Sequence, residues 1–136
     1  MGAHHLVVGP CPLCETKLQD AHPELRRVFT LVRKQFPDCH VSWTFRGEAD
    51  QKQACLDGRS RLEWPNSAHN AMKDGKPCAR AMDLFQLRLD NVAAWQRSYF
   101  VAVSSFLASN CTSVFWGGNF KSLGDLDHFQ LHPIVP

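Results

Sequence analysis

The sequence predicts an α+β domain in which a small, mainly antiparallel sheet packs against helices. Its length of 136 residues fits one domain, so we treat 1–136 as a single unit with an irregular lead-in over 1–21. Apolar residues recur at helical spacing in some segments and at every second position in others. The resulting order is helix, strand, helix, loop, strand, helix, strand, strand, which is typical of this fold class.

The first helix is predicted to begin at Pro23, which suits a first helical position, and to end before Pro37. The next segment, 40–46, alternates as a strand does. One face is expected to enter the core and contains Val41, Trp43 and Phe45. The other face is polar and contains His40, Ser42, Thr44 and Arg46.

The remaining elements follow from breaks in these patterns. A short helix is predicted over 48–57, with Gly58 at its end. A long polar connection, 59–80, is of a length typical of functional or disordered loops. A strand over 81–87 precedes a helix that Asp90 or Asn91 caps and that runs to about Ala108. Two last strands, 113–116 and 127–132, are joined by a segment with three glycines, Gly117, Gly118 and Gly124.

Composition restricts the partners. Lys and Arg number 15 against 13 Asp and Glu, for a formal charge of +2. Because no basic stripe interleaves with aromatic residues, we expect no nucleic-acid binding. No apolar run approaches the length of a membrane span, and residues 1–10 lack the features of a secretory signal. We therefore expect a monomer made in the cytoplasm without a signal peptide.

Four side chains are candidates for chemistry. Asp83 lies mid-strand among apolar neighbours, where an unpaired carboxylate costs several kcal/mol to desolvate. Each of these residues also has an ordinary structural explanation. Asp83 could form an ion pair or cap a loop, His128 could be a core residue, and His69 could lie on the surface. Taken together, two imidazoles and one carboxylate make the ligand set of a catalytic zinc site, and Asp125 near His128 can act as its base.

These residues lie in separated motifs that resemble those of the zinc D-alanyl-D-alanine carboxypeptidase family. The motifs are Arg46…Gln51, Ser67-x-His69-Asn70, Ala81-x-Asp83, Trp116-Gly117-Gly118 and Asp125-x-x-His128. The family includes vancomycin-resistance carboxypeptidases and the L-alanyl-D-glutamate endopeptidases that serve as phage endolysins. The resemblance covers 40–132 and implies the compact α+β fold shared with the Hedgehog signalling domain. One departure is the 13 residues, 70–82, between His69 and Asp83, which exceed the spacing of many members.

The resemblance also implies roles for these residues. By the matching positions, His69, Asp83 and His128 bind zinc, and Asp125 is the catalytic acid and base. Asp127 is a rival base, but strand alternation turns it to the face opposite His128, so Asp125 is favoured.

Four further residues are implied at the substrate. Arg46 matches the arginine near the substrate carbonyl or carboxylate, with a surface ion pair as the alternative role. Gln51 and Ser67 are its neighbours at the substrate. Trp116 either walls the cleft or belongs to the core.

The implied substrate is the stem peptide of peptidoglycan. A small domain without an export signal is expected to be a phage or prophage lysin that reaches the periplasmic wall after holin-type release. That origin favours endopeptidase cleavage between L-Ala and D-Glu. A D-alanyl-D-alanine carboxypeptidase is the alternative enzyme, and a non-catalytic, zinc-stabilised binding module is the alternative of another class.

Six cysteines are many for this length, and two of them have metal-ligand spacing. Cys11 and Cys14 form a C-P-x-C unit of the kind found in half a zinc knuckle. Cys39, His40 or Cys78 could complete it. A structural zinc, a disulfide and reduced thiols remain three alternatives.

Overall fold

The computed structural model describes residues 11–119 and 125–136. The helices in these residues are α1 (Pro12–Leu18), α2 (Pro23–Gln35), α3 (Glu48–Leu56) and α4 (Arg97–Asn110). The strands are β1 (Cys39–Trp43), β2 (Met72–Lys73), β3 (Lys76–Pro77), β4 (Ala81–Leu87), β5 (Ala93–Ala94), β6 (Val114–Trp116) and β7 (His128–Leu131). Short 3-10 turns lie at Ala68–Asn70 and Gly117–Asn119.

One antiparallel sheet organises the described residues. Its strand order is β1, β4, β7, β6, and β5 pairs with the end of β4. Strands β2 and β3 form a separate hairpin in the connection predicted as a loop. Its turn is Asp74-Gly75, both at positive φ, as a two-residue hairpin turn requires. The predicted α+β class with a mainly antiparallel sheet is confirmed.

The two faces of β4 have different surroundings. Met82 and Leu84 are fully buried in the apolar core that also contains residues of α2 and α4, such as Val28 and Phe100. Asp83 lies between them in sequence and therefore points to the opposite face. Helices α2 and α4 thus cover one face of the sheet, while the other face carries Asp83.

Two predictions about helices were wrong. The lead-in contains a helix, α1, which Cys11 caps and whose Cys14 and Leu18 are buried. The helix predicted to follow Asp90 or Asn91 begins only at Arg97, because 93–94 pair with β4 as strand β5. Helical spacing placed Trp95 on the buried stripe of the longer predicted helix, but Trp95 lies before α4 and is half exposed.

The predicted alternation of β1 holds only as far as Val41. Val41 pairs with Leu84 and is fully buried, but the register shifts between Val41 and Trp43. Trp43 therefore pairs with Asp83 and is only partly buried, contrary to its predicted core position. A bulge of this kind commonly redirects a side chain towards a functional site.

The chain contains no membrane-crossing helix in residues 11–119 and 125–136, since every helix there is too short or too polar.

Candidate active site

Asp83 is the centre of a buried cluster with two histidines. Its Oδ1 lies 3.2 Å from His69 Nε2 and 3.1 Å from His128 Nδ1. All three residues are buried, and one donor atom from each lies within 4.8 Å of the other two. The structure thus brings together the three side chains that the motifs predicted as metal ligands.

Sheet register and a capped turn hold this cluster in place. Asp83 of β4 and His128 of β7 are direct cross-strand partners, so their side chains leave the same face of the sheet. His69 comes from the 3-10 turn, where Ser67 and Asn70 form a capping box. The His69 carbonyl also accepts a hydrogen bond from the Arg46 backbone N–H at 2.8 Å. Three separate segments are therefore fixed by backbone contacts around one point.

The outer nitrogen of each histidine is held by an oxygen atom. His69 Nδ1 lies 2.7 Å from the Thr44 carbonyl oxygen, which can only accept, so Nδ1 carries the proton and Nε2 is left as a donor atom for a metal. His128 Nε2 lies 2.9 Å from Gln130 Oε1, which likewise leaves Nδ1 directed at Asp83. Histidines that bind metals in proteins are oriented by such outer hydrogen bonds.

Charge is balanced inside the cluster. Burial acts to raise the pKa of Asp83, but the charges and hydrogen bonds of His69 and His128 outweigh it, and the pKa lies below its ordinary value. For His128, burial acts to lower the pKa, but the hydrogen bond and charge of Asp83 prevail and raise it. A buried anion therefore faces two imidazoles, which is the environment that a divalent cation would enter.

The residues present fit a zinc ion. Two imidazole nitrogens and one carboxylate oxygen are the three protein ligands of a catalytic zinc site, with a fourth position left for water or substrate. Each imidazole presents one nitrogen inward and has the other hydrogen-bonded outward. This donor set, and not spacing alone, supports His69, Asp83 and His128 as the metal-binding group.

The cluster lies in a cleft of about 570 Å³. Side chains that sequence analysis had not assigned to the site also line it: Trp43, Trp95, Arg59 and Arg61. The half-exposed Trp95 stacks on Phe85, with ring centroids 5.7 Å apart. The sequence carried a weak signal for the arginines, because both lie in the long polar connection. It carried none for the tryptophans, because strand alternation assigned Trp43 to the core and helical spacing placed Trp95 on a buried stripe.

Two acidic residues stand beside His128. Asp125 Oδ2 lies 3.8 Å from His128 Nδ1, as expected for the predicted base. Asp127 lines the same cleft and shares a hydrogen bond with Asp125. Burial, together with the negative charges of Asp83 and Asp125, raises the pKa of Asp127 to about 8. The predicted outward orientation of Asp127 is wrong, because 126–127 form a turn and strand alternation begins only at His128.

Arg46 is buried, so the alternative of a surface ion pair is wrong. Its Nη1 donates to Gln51 Oε1 at 3.1 Å, and its Nη2 lies 3.7 Å from Asp83 Oδ2. The guanidinium also lies over the Trp43 ring, 5.2 Å from the centroid. Among the described residues, Arg46 Nε has no hydrogen-bond partner.

Gln51 and Ser67 support the cluster from behind. Gln51 is fully buried and does not line the cleft, which corrects its expected contact with substrate. Its Oε1 accepts from Arg46 and from Asn70 Nδ2, each at 3.1 Å. Ser67 does line the cleft, and its Oγ accepts from the His69 backbone N–H at 3.2 Å. Both residues position the side chains that face the cleft.

Trp116 belongs to the core and is not among the residues that line the cleft, so of its two predicted places the structure favours the core over the substrate. Its Nε1 donates to the Leu126 carbonyl at 2.6 Å and so holds the turn that carries Asp125. A Cβ on Gly118 would lie 2.2 Å from the Trp116 ring, and one on Gly117 would lie 2.6 Å from the Asp125 carbonyl oxygen. The two glycines are therefore required by close packing around this turn.

Fold and site together define the class of this protein: an α+β domain with a candidate metal centre at the floor of an open cleft. Among solved structures, the crystal structure of the Serratia marcescens L-Ala D-Glu endopeptidase ChiX is similar, with a TM-score of 0.68 and 29% sequence identity. The match covers 88% of this chain and 86% of that chain. This similarity confirms the resemblance predicted from the motifs. No model of a protein family matches the chain, and a search of curated proteins finds no relative.

Proposed function

We propose that this chain is a zinc-dependent peptidase that hydrolyses the stem peptides of peptidoglycan between L-alanine and D-glutamate. One observation carries the proposal: the His69, Asp83 and His128 cluster lies at the floor of a cleft in a chain similar over 88% of its length to an L-Ala D-Glu endopeptidase.

The residues divide the chemistry between them. His69, Asp83 and His128 would hold the ion, which when bound acidifies water and polarises the scissile carbonyl. Asp125 lies beside His128 and within the cleft, where its carboxylate can accept a proton from the attacking water. The same carboxyl then delivers that proton to the amine that leaves when the C–N bond breaks. Water thus adds across one peptide bond, and Asp125 returns to its starting state.

Arg46 is the cationic group suited to the developing oxyanion. Arg46 lines the cleft, and Gln51 and Trp43 fix the orientation of its guanidinium. Preorganised donors of this kind are effective because they need no rearrangement as charge develops. We assign Arg46 to oxyanion or substrate-carboxylate binding, and Gln51 to holding it there.

The rim of the cleft suits an anionic peptide. Arg59 and Arg61 line one side of the cleft, and Trp43 and Trp95 add flat apolar surfaces. D-Glutamate contributes a carboxylate to the substrate next to the bond that is cut. The field of the arginines favours an anionic peptide. A terminal D-alanine also carries a carboxylate, so the choice of the endopeptidase rests on the similarity to an L-Ala D-Glu endopeptidase.

Digestion of purified sacculi tests the proposed bond. We expect new amino termini on D-glutamate, identified by labelling the released ends and by mass spectrometry. Release of free D-alanine instead would establish the carboxypeptidase alternative. A protein that binds sacculi, cuts neither bond and acts unchanged as Asp125→Ala would establish the binding module.

We further propose an endolysin role, in which the enzyme acts on the wall after holin-type release. Expression in a Gram-negative host tests this proposal. We expect lysis only when a holin is co-expressed or the inner membrane is permeabilised. Lysis by the enzyme alone would contradict dependence on such release.

A further inference from the structure

A second buried cluster lies outside the cleft. Cys11 Sγ is 3.3 Å and Cys14 Sγ is 3.5 Å from the same atom, His40 Nδ1. Cys14 and His40 are 1% and 0% exposed, and Cys11 is also buried. One donor atom from each of the three residues lies within 4.8 Å of the other two. We propose that Cys11, Cys14 and His40 bind a structural zinc ion, distinct from the ion of the cleft.

Burial raises the pKa of Cys14, and backbone amides that donate to both sulfur atoms act against it by stabilising thiolates. The Cys14 N–H donates to Cys11 Sγ at 3.2 Å, and the Val41 N–H donates to Cys14 Sγ at 3.4 Å. Hydrogen bonds to an anionic acceptor are stronger than those to a neutral one, so these two contacts gain strength when the thiols ionise. Zinc binds the thiolate, and the turn between the two cysteines is thus shaped for it.

Nearby cations add to this preference. Arg33 Nη1 lies 3.4 Å from His40 Nδ1 and 3.3 Å from His40 Nε2. Lys17, on the same short helix as Cys14, has its ammonium 2.7 Å from the Ser42 carbonyl oxygen of β1. Two thiolates would balance the charge of a divalent ion between these cations.

The structure selects one partner among the three that the sequence left open. His40 faces the two cysteines, whereas the adjacent Cys39 interacts with Tyr99. Cys78 is only partly buried and lies outside the cluster. Burial also argues against a redox role for the pair, because redox-active cysteines are accessible to their exchange partners.

The consequence of this site would be structural. It would clamp α1 to β1, where Thr44 Oγ1 also donates to the Lys17 carbonyl. The Thr44 carbonyl in turn accepts from His69 Nδ1 of the cleft. A metal at the cysteines would therefore stabilise the strand end that orients one ligand of the first site.

Metal analysis of a variant without the cleft ligands tests this proposal. In His69→Ala/Asp83→Asn, any zinc that remains after gel filtration reports the second site alone. We expect two zinc ions per parent chain and one per double variant. Adding Cys14→Ser should remove the last ion, while adding Cys78→Ser, the matched control, should retain it.

Cobalt substitution identifies the donors independently of stoichiometry. The double variant loaded with Co²⁺ should show thiolate-to-cobalt charge-transfer absorption in the near ultraviolet, and Cys14→Ser should abolish it. A folded double variant that holds no metal would overturn the proposal, as would a Cys11–Cys14 disulfide found by mass spectrometry. If the Cys14→Ser variant does not fold, metal content and the cobalt spectrum of the folded double variant still decide the outcome.

Discussion

A carboxylate in the middle of a buried strand is tolerated only where cations or hydrogen-bond donors balance its negative charge. Asp83 is stabilised by two imidazoles and by the Arg46 guanidinium on the same side of the sheet. Removing one partner of such a group leaves the others buried and unbalanced, which is strongly destabilising. The chemistry of the site is thus decided by individual side chains, and the first predictions concern single residues.

Asp125 is expected to carry the proton transfers. Asp125→Asn should lower kcat by about 10²- to 10⁴-fold, the usual contribution of general acid–base catalysis, with zinc content and circular dichroism unchanged. Asp127→Asn is the matched control, since its carboxyl lies in the same cleft, and it should cost less activity. The assignment of the base to Asp125 is wrong if the two variants show the reverse order.

Gln130 is expected to tune the metal site through His128. Its Oε1 holds His128 Nε2, so Gln130→Ala should weaken zinc binding about 10- to 100-fold, the range for such outer contacts. Competition with a chelator measures the affinity. Gln53→Ala is the control and should not change it, because Gln53 is an exposed residue of α3 whose side chain donates to Asp57. Equal affinities for the two variants would refute this role.

At the scale of elements, the turn between β6 and β7 places Asp125 and His128. A Cβ on Gly117 would meet backbone of Asp125 at 2.6 Å and His128 Cβ at 3.0 Å, so both residues would have to move. Gly117→Ala should lower the free energy of unfolding by about 1–3 kcal/mol, as overpacking does, and should reduce activity as well.

Gly47→Ala is the control for that change. The nearest atom to a Cβ there is Phe45 Cε2 at 3.8 Å, an ordinary contact. Chemical denaturation and hydrolysis of a stem peptide compare the two variants. A Gly117→Ala protein with parental stability and activity would show that close packing of this turn does not matter.

For the whole molecule, the only tyrosine of the chain reports global unfolding in alkali. Burial raises the pKa of Tyr99, and the nearby Cys39 and the hydrogen bond that its hydroxyl donates to Asp38 raise it further. In the unfolded chain the phenol titrates near its ordinary pKa of about 10. Because ionisation favours the unfolded state above that pH, the contribution of Tyr99 to stability should be constant below about pH 10 and fall as pH rises beyond it.

The absorbance of tyrosinate measures the ionisation of Tyr99 directly. In a pH titration it should appear together with the loss of circular dichroism and not before it. Tyr99→Phe should be less stable at neutral pH, since it leaves Asp38 without this donor, and should lose less stability in alkali. Tyrosinate that forms while the protein remains folded would contradict the raised pKa.

Much of this architecture was readable in local patterns. Helix α2 lies between its two prolines, α3 ends before Gly58, and the separated motifs contained the three side chains that meet at the cleft. Elements were missed where a local pattern was short or interrupted. Helix α1 is seven residues long with cysteines on its buried face, and β5 is two residues that exist only because β4 lies beside them.

The amino-acid order alone established the fold class and the identity of the residues capable of chemistry, because periodicity and side-chain type are properties of the chain. It could not establish which of those residues meet. The bulge that turns Trp43 into the cleft, the turn that brings in Asp127 and the approach of His40 to two cysteines all depend on contacts between distant segments. Such contacts form only when strands pair in one register, and register is set by the packing of the entire sheet.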